Sequence, residues 1–336
     1  MKAIGYRRSL PITDPAALED IELPTPVPQP RDLLVRVSAV SVNPVDTKVR
    51  RNRKPADGQV EVLGWDAVGV VEAVGNDVSL FQPGDRVYYA GAINRPGTNS
   101  ELHLVDERIV ARAPQSLDDA AAAALPLTAI TAYELLFDRL RIAKGGGAGQ
   151  ALLVVGGAGG VGSILIQLAR QLTQLRIIAT ASRPETRQWC LDLGAHAVID
   201  HRQPLSAGLN AAGIGHVDFV AALTQTEQHY DQIIESLKPQ GALAVIDDMD
   251  VLNAMKLKSK SISLHWELMF TRPLYETPDM AEQGRLLAEV AELVDAGRIR
   301  STVNHHLGRI TAENLRQAHA LIESGKARGK VVLEGF

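Results

Sequence analysis

Ala151 to Val155 is an unbroken apolar run, ALLVV, and it passes directly into Gly156 to Gly162, seven residues of which five are glycine. From Val161 to Gln171 apolar residues recur at helical spacing. A buried strand, a loop almost bare of side chains and a helix in immediate succession admit few folds, because so bare a loop is needed where backbone must approach something closely. Read as G-x-G-x-x-G, the motif falls on Gly157, Gly159 and Gly162, with Ala158, Gly160 and Val161 between them. The first glycine makes the tight turn, the second lets backbone amides approach a pyrophosphate, and the third lets helix pack on strand. Unpaired N–H groups at the helix start then face the anion. A merely structural turn is the plain alternative. The context favours the ligand: the alternation continues through Arg176 to Ala181, Glu185 to Leu193, Ala197 to Ile199, Val217 to Ala221 and Ala242 to Ile246, with another strand at Ser261 to Trp266. The fold class is α/β, with a doubly wound parallel sheet of about six strands, and the loop predicts a dinucleotide site. The Gly-Lys-Ser/Thr ending of a nucleoside triphosphate loop is missing.

The end of the second strand bears on which dinucleotide. An NAD site places Asp or Glu about 20 residues beyond the glycines, on the ribose 2′-hydroxyl. Here Thr180, Ala181, Ser182 and Arg183 supply a hydroxyl and a guanidinium and no acid. NADPH is the expected cofactor, with Ser182 and Arg183 at its 2′-phosphate and Arg187 and His201 as further candidates. A solvated surface charge is the plain reading of Arg183.

Charge and composition narrow the remaining classes. With 35 Lys and Arg against 39 Asp and Glu the net charge is -4, so no positive field attracts nucleic acid or anionic lipid. Gly145 to Ala169 is uncharged and long enough to span a bilayer, but its nine glycines split it into strand and short helix. The single cysteine, Cys190, forms no intramolecular disulfide and no multi-cysteine zinc site. Met1 to Leu10 has no apolar run of the signal-peptide kind, so a cytoplasmic location is expected.

Outside the glycine loop, the first third reads as a small β domain. Leu33 to Val42 alternates, Trp65 to Val74 is rich in valine, and Pro83-Gly84-Asp85 fits a type II turn between strands. Pro24, Pro26, Pro28 and Pro30 read as a stiff connector. Ser116 is expected to cap a helix near a domain boundary. After Leu257 come an aromatic loop through Phe270, Pro273 and Tyr275, a helix with Leu286, Leu287, Val290, Leu293 and Val294 on one face, and a helix from Ala312 to Ser324 feeding the strand Lys330 to Leu333.

Several strings together resemble the medium-chain dehydrogenase/reductase superfamily: Asn43-Pro44-Val45-Asp46, Gly64-Trp65-Asp66, Leu125-Pro126-Leu127-Thr128, Thr131-Ala132-Tyr133, the glycine loop, and Gly329-Lys330-Val331-Val332-Leu333. The likeness is closest to the quinone oxidoreductase branch. His265 to Arg272, HWELMFTR, resembles a bacterial subgroup called zinc-type alcohol dehydrogenase-like. The resemblance implies a GroES-like β-barrel catalytic domain over 1–123 and 266–336, and a Rossmann domain over 124–265. It places NADPH between the domains, with the nicotinamide near Asn43 and the loop after Ile246, adds Thr131, Ile246 and Lys330 to the cofactor contacts, and suggests a homodimer.

In zinc-dependent members of that family two cysteines and a histidine hold the metal. By motif, the first cysteine position is Asn43 and the histidine position is Trp65, neither a plausible ligand, so no metal is expected. The candidate catalytic set is Asn43, Asp46, Trp65 and Tyr133. Asn43 either orients a ligand or fixes the turn before Pro44, Asp46 and Asp66 read more as hydrogen-bond partners than as acids, and Tyr133, the nearest candidate proton donor, sits on an apolar helix where such a residue is more often core. The expected function is NADPH-dependent hydride transfer to a small quinone or related α,β-unsaturated carbonyl. A zinc alcohol dehydrogenase with atypical ligands and a non-catalytic NADPH-binding protein are the alternatives.

Overall fold

The computed structural model describes all 336 residues, Met1–Phe336. The chain divides into two units, residues 1–130 with 270–336, and residues 131–269.

The first unit opens with strands β1 (Lys2–Tyr6), β2 (Glu19–Glu22), β3 (Asp32–Val42), β4 (Glu61–Val62), β5 (Ala67–Val74), β6 (Arg86–Tyr89), β7 (Leu102–Asp106) and β8 (Ala111–Arg112). The order β2-β1-β4 makes a small sheet, and β3, paired antiparallel with both β5 and β7, anchors a larger one. Gly84, at φ +95°, sits in the expected turn before β6, closed by Asp85 N–H donating to Gln82 O at 3.1 Å. Helix α1 (Pro44–Asn52) starts at Asn43 with Pro44 in its first turn. Helix α2 (Asp119–Ala123) is capped by Asp118, whose carboxylate accepts from Ala121 N–H at 2.7 Å. Ser116 is not that cap; its hydroxyl donates to Asp295 Oδ1 at 2.7 Å. Helix α3 (Pro126–Glu134) follows and ends in a π-helical turn, Leu135–Arg139.

In the second unit a strict alternation runs β9 (Ala151–Val155), α4 (Gly160–Leu172), β10 (Arg176–Thr180), α5 (Pro184–Asp192), β11 (Ala197–Ile199), α6 (Leu205–Ala211), β12 (Val217–Ala222), α7 (Thr226–Ser236) and β13 (Leu237–Val245), and closes with β14 (Ser263–Trp266). All six strands are parallel, in the order β11-β10-β9-β12-β13-β14. Every residue of β9 is buried, as a strand covered on both faces requires. Because β9 is first in sequence and central in the sheet, the winding reverses between β9 and β12, and the carboxyl ends of these strands are where such sheets bind ligands.

The chain then returns to the first unit through α8 (Thr271–Tyr275), α9 (Glu282–Asp295), β15 (Val303–His306), α10 (Ala312–Glu323) and β16 (Lys330–Glu334), which pairs antiparallel with β3. The aromatic segment expected as a loop is the short helix α8, where Leu274 N–H donates to Phe270 O at 2.8 Å.

The unit boundaries fall at 130/131 and 269/270, later than the 123/124 and 265/266 read from sequence. Hydrogen bonds explain both shifts. Asp66 Oδ1 accepts from Leu127 N–H at 2.7 Å, holding the start of α3 to the first unit. Glu267 N–H donates to Val245 O at 2.9 Å, extending the contact of the chain with β13 past Trp266.

The helical segment long and apolar enough to cross a membrane by length and composition is Asp119–Arg139, 83% of whose apolar window is buried inside the protein. The uncharged stretch from 145 to 169 is loop, β9, loop and α4.

Candidate functional site

The glycine loop joins β9 to α4, and four of its glycines have distinct reasons. Gly156 carries the left-handed turn at φ +90°, its N–H donating to Thr180 Oγ1 at 3.0 Å. The tight turn therefore sits one residue before Gly157, where sequence reasoning put it. At Gly157 a Cβ would lie 2.7 Å from Ala179 Cβ and 3.1 Å from Cys190 Sγ, so this residue lets the loop lie against β10. At Gly162 a Cβ would come within 2.6 Å of two backbone oxygens, those of Gly156 and Gly157. Gly159 differs: it is the N-cap of α4, with φ −73°, and a Cβ there would meet only Gly156 O, at 3.5 Å. Space is left open beside Gly159, where the first amides of α4 have no helical acceptors. Ser163 fixes this start, donating to Gly159 O at 2.7 Å and accepting from Trp189 Nε1 at 2.8 Å. Burial pushes the Cys190 thiol up to about 12, leaving it a neutral packing group.

No carboxylate stands at Ala181 or Ser182, at the end of β10. Arg183 pairs with Glu185 at 3.2 Å on the exposed start of α5. Arg187 does not face a ligand: its guanidinium donates to Ala181 O at 3.3 Å and Val198 O at 2.8 Å, bracing the ends of two neighbouring strands. His201 packs edge-on against His229, ring centroids 6.0 Å apart. His229 is buried, Nδ1 has no partner, and burial, then His201, lowers its pKa. Sequence reasoning missed Arg202, whose Nη2 donates to Ser182 O at 3.2 Å. Ile246 lies at the carboxyl end of β13, its N–H donating to Ala222 O at 3.3 Å. Thr131 and Tyr133 lie on α3; the Tyr133 ring meets Phe137 at 4.7 Å, with Lys144 Nζ 5.1 Å from its centroid. Nearby, Arg139 Nε donates to the buried Glu267 at 2.7 Å, and burial with the Glu134 charge raises the Glu267 carboxyl well above the usual range.

In the first unit, Asn43, Asp66 and Lys330 form a closed buried network. Asp66 Oδ2 accepts from Ser41 Oγ at 2.6 Å, Asn43 Nδ2 at 2.7 Å and Lys330 Nζ at 3.0 Å. Lys330 Nζ also donates to Asn43 Oδ1 and, at 3.3 Å, to Val42 O. Lys330 is 2% exposed and Asn43 1%. Both the expectation that Lys330 touches a cofactor and the expectation that the Asn43 amide orients a ligand are thus corrected, because these groups already have their partners inside the fold. Trp65 is also core, at 1% exposure, with Nε1 donating to Ala92 O at 3.3 Å and its ring edge-on to Phe270. Asp46 accepts from Asn43 N–H at 2.7 Å, a helix-start contact and not that of an acid facing substrate; burial pushes its carboxyl up to about 7.

Two family models match the chain: an alcohol dehydrogenase GroES-like domain over 29–115 and a zinc-binding dehydrogenase over 193–333. A zinc-type alcohol dehydrogenase-like protein of Staphylococcus aureus is 41% identical over 99% of both chains. The chain belongs to the medium-chain dehydrogenase/reductase superfamily. Within this superfamily it falls in the quinone oxidoreductase-like branch and is an oxidoreductase; the quinone oxidoreductase of Lama guanicoe is 29% identical over 93% of this chain and 91% of that one. Among solved structures, a candidate zinc-dependent alcohol dehydrogenase from Rhizobium etli superposes with TM-score 0.97 at 59% identity, covering 100% of this chain and 98% of that chain. A mycobacterial protein in complex with NADPH gives TM-score 0.84 at 27% identity over 100% of both.

Medium-chain enzymes named for zinc imply a metal, and this donor set does not fit one. The positions matched to ligands carry Asn43, whose amide is bonded to a carboxylate and an ammonium, and the buried indole of Trp65. No group of three or more His, Cys, Asp or Glu side chains is placed to hold an ion. A nicotinamide dinucleotide, in contrast, fits the open space at Gly159, and no acid stands at the end of β10.

Proposed function

We propose that this medium-chain oxidoreductase is an NADPH-dependent reductase of quinones or related α,β-unsaturated carbonyls, working without catalytic zinc. The observation that carries the reading is the ammonium of Lys330 bonded to Asn43, at the position the resemblance assigns to a metal ligand. Without a Lewis acid, an isolated alkoxide has no stabiliser, which disfavours alcohol chemistry. A conjugated acceptor needs less help, since it spreads the incoming charge over its own π-system. The NADPH-bound mycobacterial neighbour and the quinone oxidoreductase of Lama guanicoe support the same assignment.

Bound NADPH supplies two electrons as hydride, and a proton from water completes the reduction of the acceptor. The protein contributes binding and orientation. The bare loop from Gly156 to Gly162 and the first amides of α4 hold the pyrophosphate, and the buttress from Trp189 through Ser163 to Gly159 keeps that helix start in place. A homodimer belongs to the same proposal, tested by light scattering on the purified protein, as does a cytoplasmic location, tested by cell fractionation.

Steady-state NADPH oxidation against a panel of quinones, enones, aldehydes and alcohols is the deciding experiment. Turnover of quinones or enones that survives a strong chelator is expected. Turnover confined to alcohols and aldehydes, and lost with zinc, would overturn the reading.

A further inference from the structure

Two buried carboxyl groups and one guanidinium meet in the second unit, between the end of α3 and the segment after β14. Glu134 ends α3 and is fully buried, and Glu267 follows β14 at 4% exposure. Arg139 reaches both: Nε donates to Glu267 Oε2 at 2.7 Å, and Nη2 lies 3.6 Å from Glu134 Oε2. The π-helical turn Leu135–Arg139 makes this possible. Residues five apart on an α-helix point about 140° apart, whereas i→i+5 bonding, here Leu140 N–H donating to Leu135 O at 2.9 Å, brings them to one side.

The two carboxyl groups are hydrogen-bonded to each other. An ionised carboxylate only accepts, so one of the pair must carry a hydrogen. The neighbouring groups add no second buried cation: Arg141 is exposed, and burial, then the charges of Arg141 and Arg139, lower the pKa of His265 on β14 and keep it neutral.

The sheet connects the pair to the cofactor. A pyrophosphate at Gly159 lies at the end of β9, and the adenosine half of a dinucleotide extends toward the end of the second strand, β10. In the order β11-β10-β9-β12-β13-β14 the nicotinamide half therefore extends the other way, toward β12 and β13. Glu267 holds that end of the sheet, its N–H donating to Val245 O at 2.9 Å, one residue before Ile246. We infer, on the NADPH reading above, that Glu134 and Glu267 share one proton and, clamped by Arg139, are positioning residues that fix the strand end at which the nicotinamide lies. The proton is held and not transferred, since water supplies the one that completes the reduction. Losing it would set two like charges together in a buried site and free the segment after β14 from Val245.

Glu267→Gln, Glu134→Gln and Glu267→Leu, made in the full chain, test this. In infrared spectra at pH 8 a carboxylic acid C=O stretch that shifts in D2O should be present in wild type and missing from both glutamine variants. Glu267→Leu should lower kcat, with the best acceptor of the panel, by roughly ten- to a hundredfold and shrink the fluorescence enhancement of bound NADPH. Its calorimetric NADPH affinity should stay within about threefold, because the pyrophosphate and adenosine contacts are untouched. Glu267→Gln, whose amide donates to Glu134 in place of the shared proton, should recover most of the lost kcat and fluorescence. A wild type without the acid band refutes the shared proton even if the leucine variant does not fold. Equal losses in Glu267→Gln and Glu267→Leu, or full kcat and fluorescence in Glu267→Leu, refute the positioning role and leave the cofactor reading standing. A wild type that binds NADPH but reduces no acceptor overturns the reductase reading, and the infrared and fluorescence results still decide the inference. A wild type that binds no NADPH overturns both.

Discussion

Lys330 and Asp66, 264 residues apart in sequence, form an ion pair of 3.0 Å in which neither side chain is more than 3% exposed. The ammonium donates to Asp66, Asn43 and Val42, and the Asp66 carboxylate accepts from four donors. Such a pair tolerates burial only while both partners stay, because removing one leaves an uncompensated charge. Lys330→Met should therefore destabilise the protein by about 3–5 kcal/mol. Urea unfolding measures the loss. NADPH affinity of the folded variant should stay within about twofold of wild type, since Lys330 is committed inside its own unit; a selective loss of affinity at unchanged stability would restore it as a cofactor residue.

The glycine loop separates binding from folding. Gly159→Ala meets an open space and an extended backbone, so its melting temperature should match wild type while NADPH affinity falls by roughly tenfold or more. Gly162→Ala places a methyl 2.5 Å from Gly156 O and should lower the melting temperature before any ligand is added. The two melts, with and without NADPH, check both outcomes.

Zinc should be absent in stoichiometric amount from protein purified without added metal, and quinone or enone reduction should be insensitive to a chelator. Elemental analysis beside the activity assay decides this. The motivation is the pair Asn43 and Trp65, each committed to hydrogen bonds inside the fold.

Asp46 gives a pH dependence of definite sign. Folded, it keeps its proton up to about 7, against 3.8 for an ordinary aspartate. Between these values the folded state binds more protons than the unfolded state. The stabilisation from this group is full below the lower value and is lost as pH rises through 7. Asp46→Asn, which has no proton to lose, removes that slope. From pH 5 to pH 8 wild type should lose ground to the variant by roughly a hundredfold in the unfolding equilibrium constant. Urea unfolding of both proteins at the two pH values measures it, and parallel curves would mean that Asp46 is charged in the fold throughout.

What the sequence determined by itself was local. ALLVV, the glycines after it and the helical spacing from Val161 are written within a few residues of one another, and periodicity and backbone freedom alone specify strand, loop and helix. The six-strand count followed for the same reason, as did the absence of an acid at the end of the second strand. Even there, neighbours in space altered a role: the left-handed turn is at Gly156, because Gly157 is needed to clear Ala179 and Cys190 on other elements. Arg202 left only a faint signal, a cation three residues past a strand of three, and it took the pairing of β11 with β10 to bring it to Ser182. The buried network was beyond local reading altogether. The resemblance assigns Lys330 to the cofactor, and Asn43 reads as orienting a ligand or fixing a turn; only the antiparallel pairing of β16 with β3 brings the ammonium to Asn43 and Asp66. A charge can be buried only where its partners converge, and that convergence is a property of the tertiary fold.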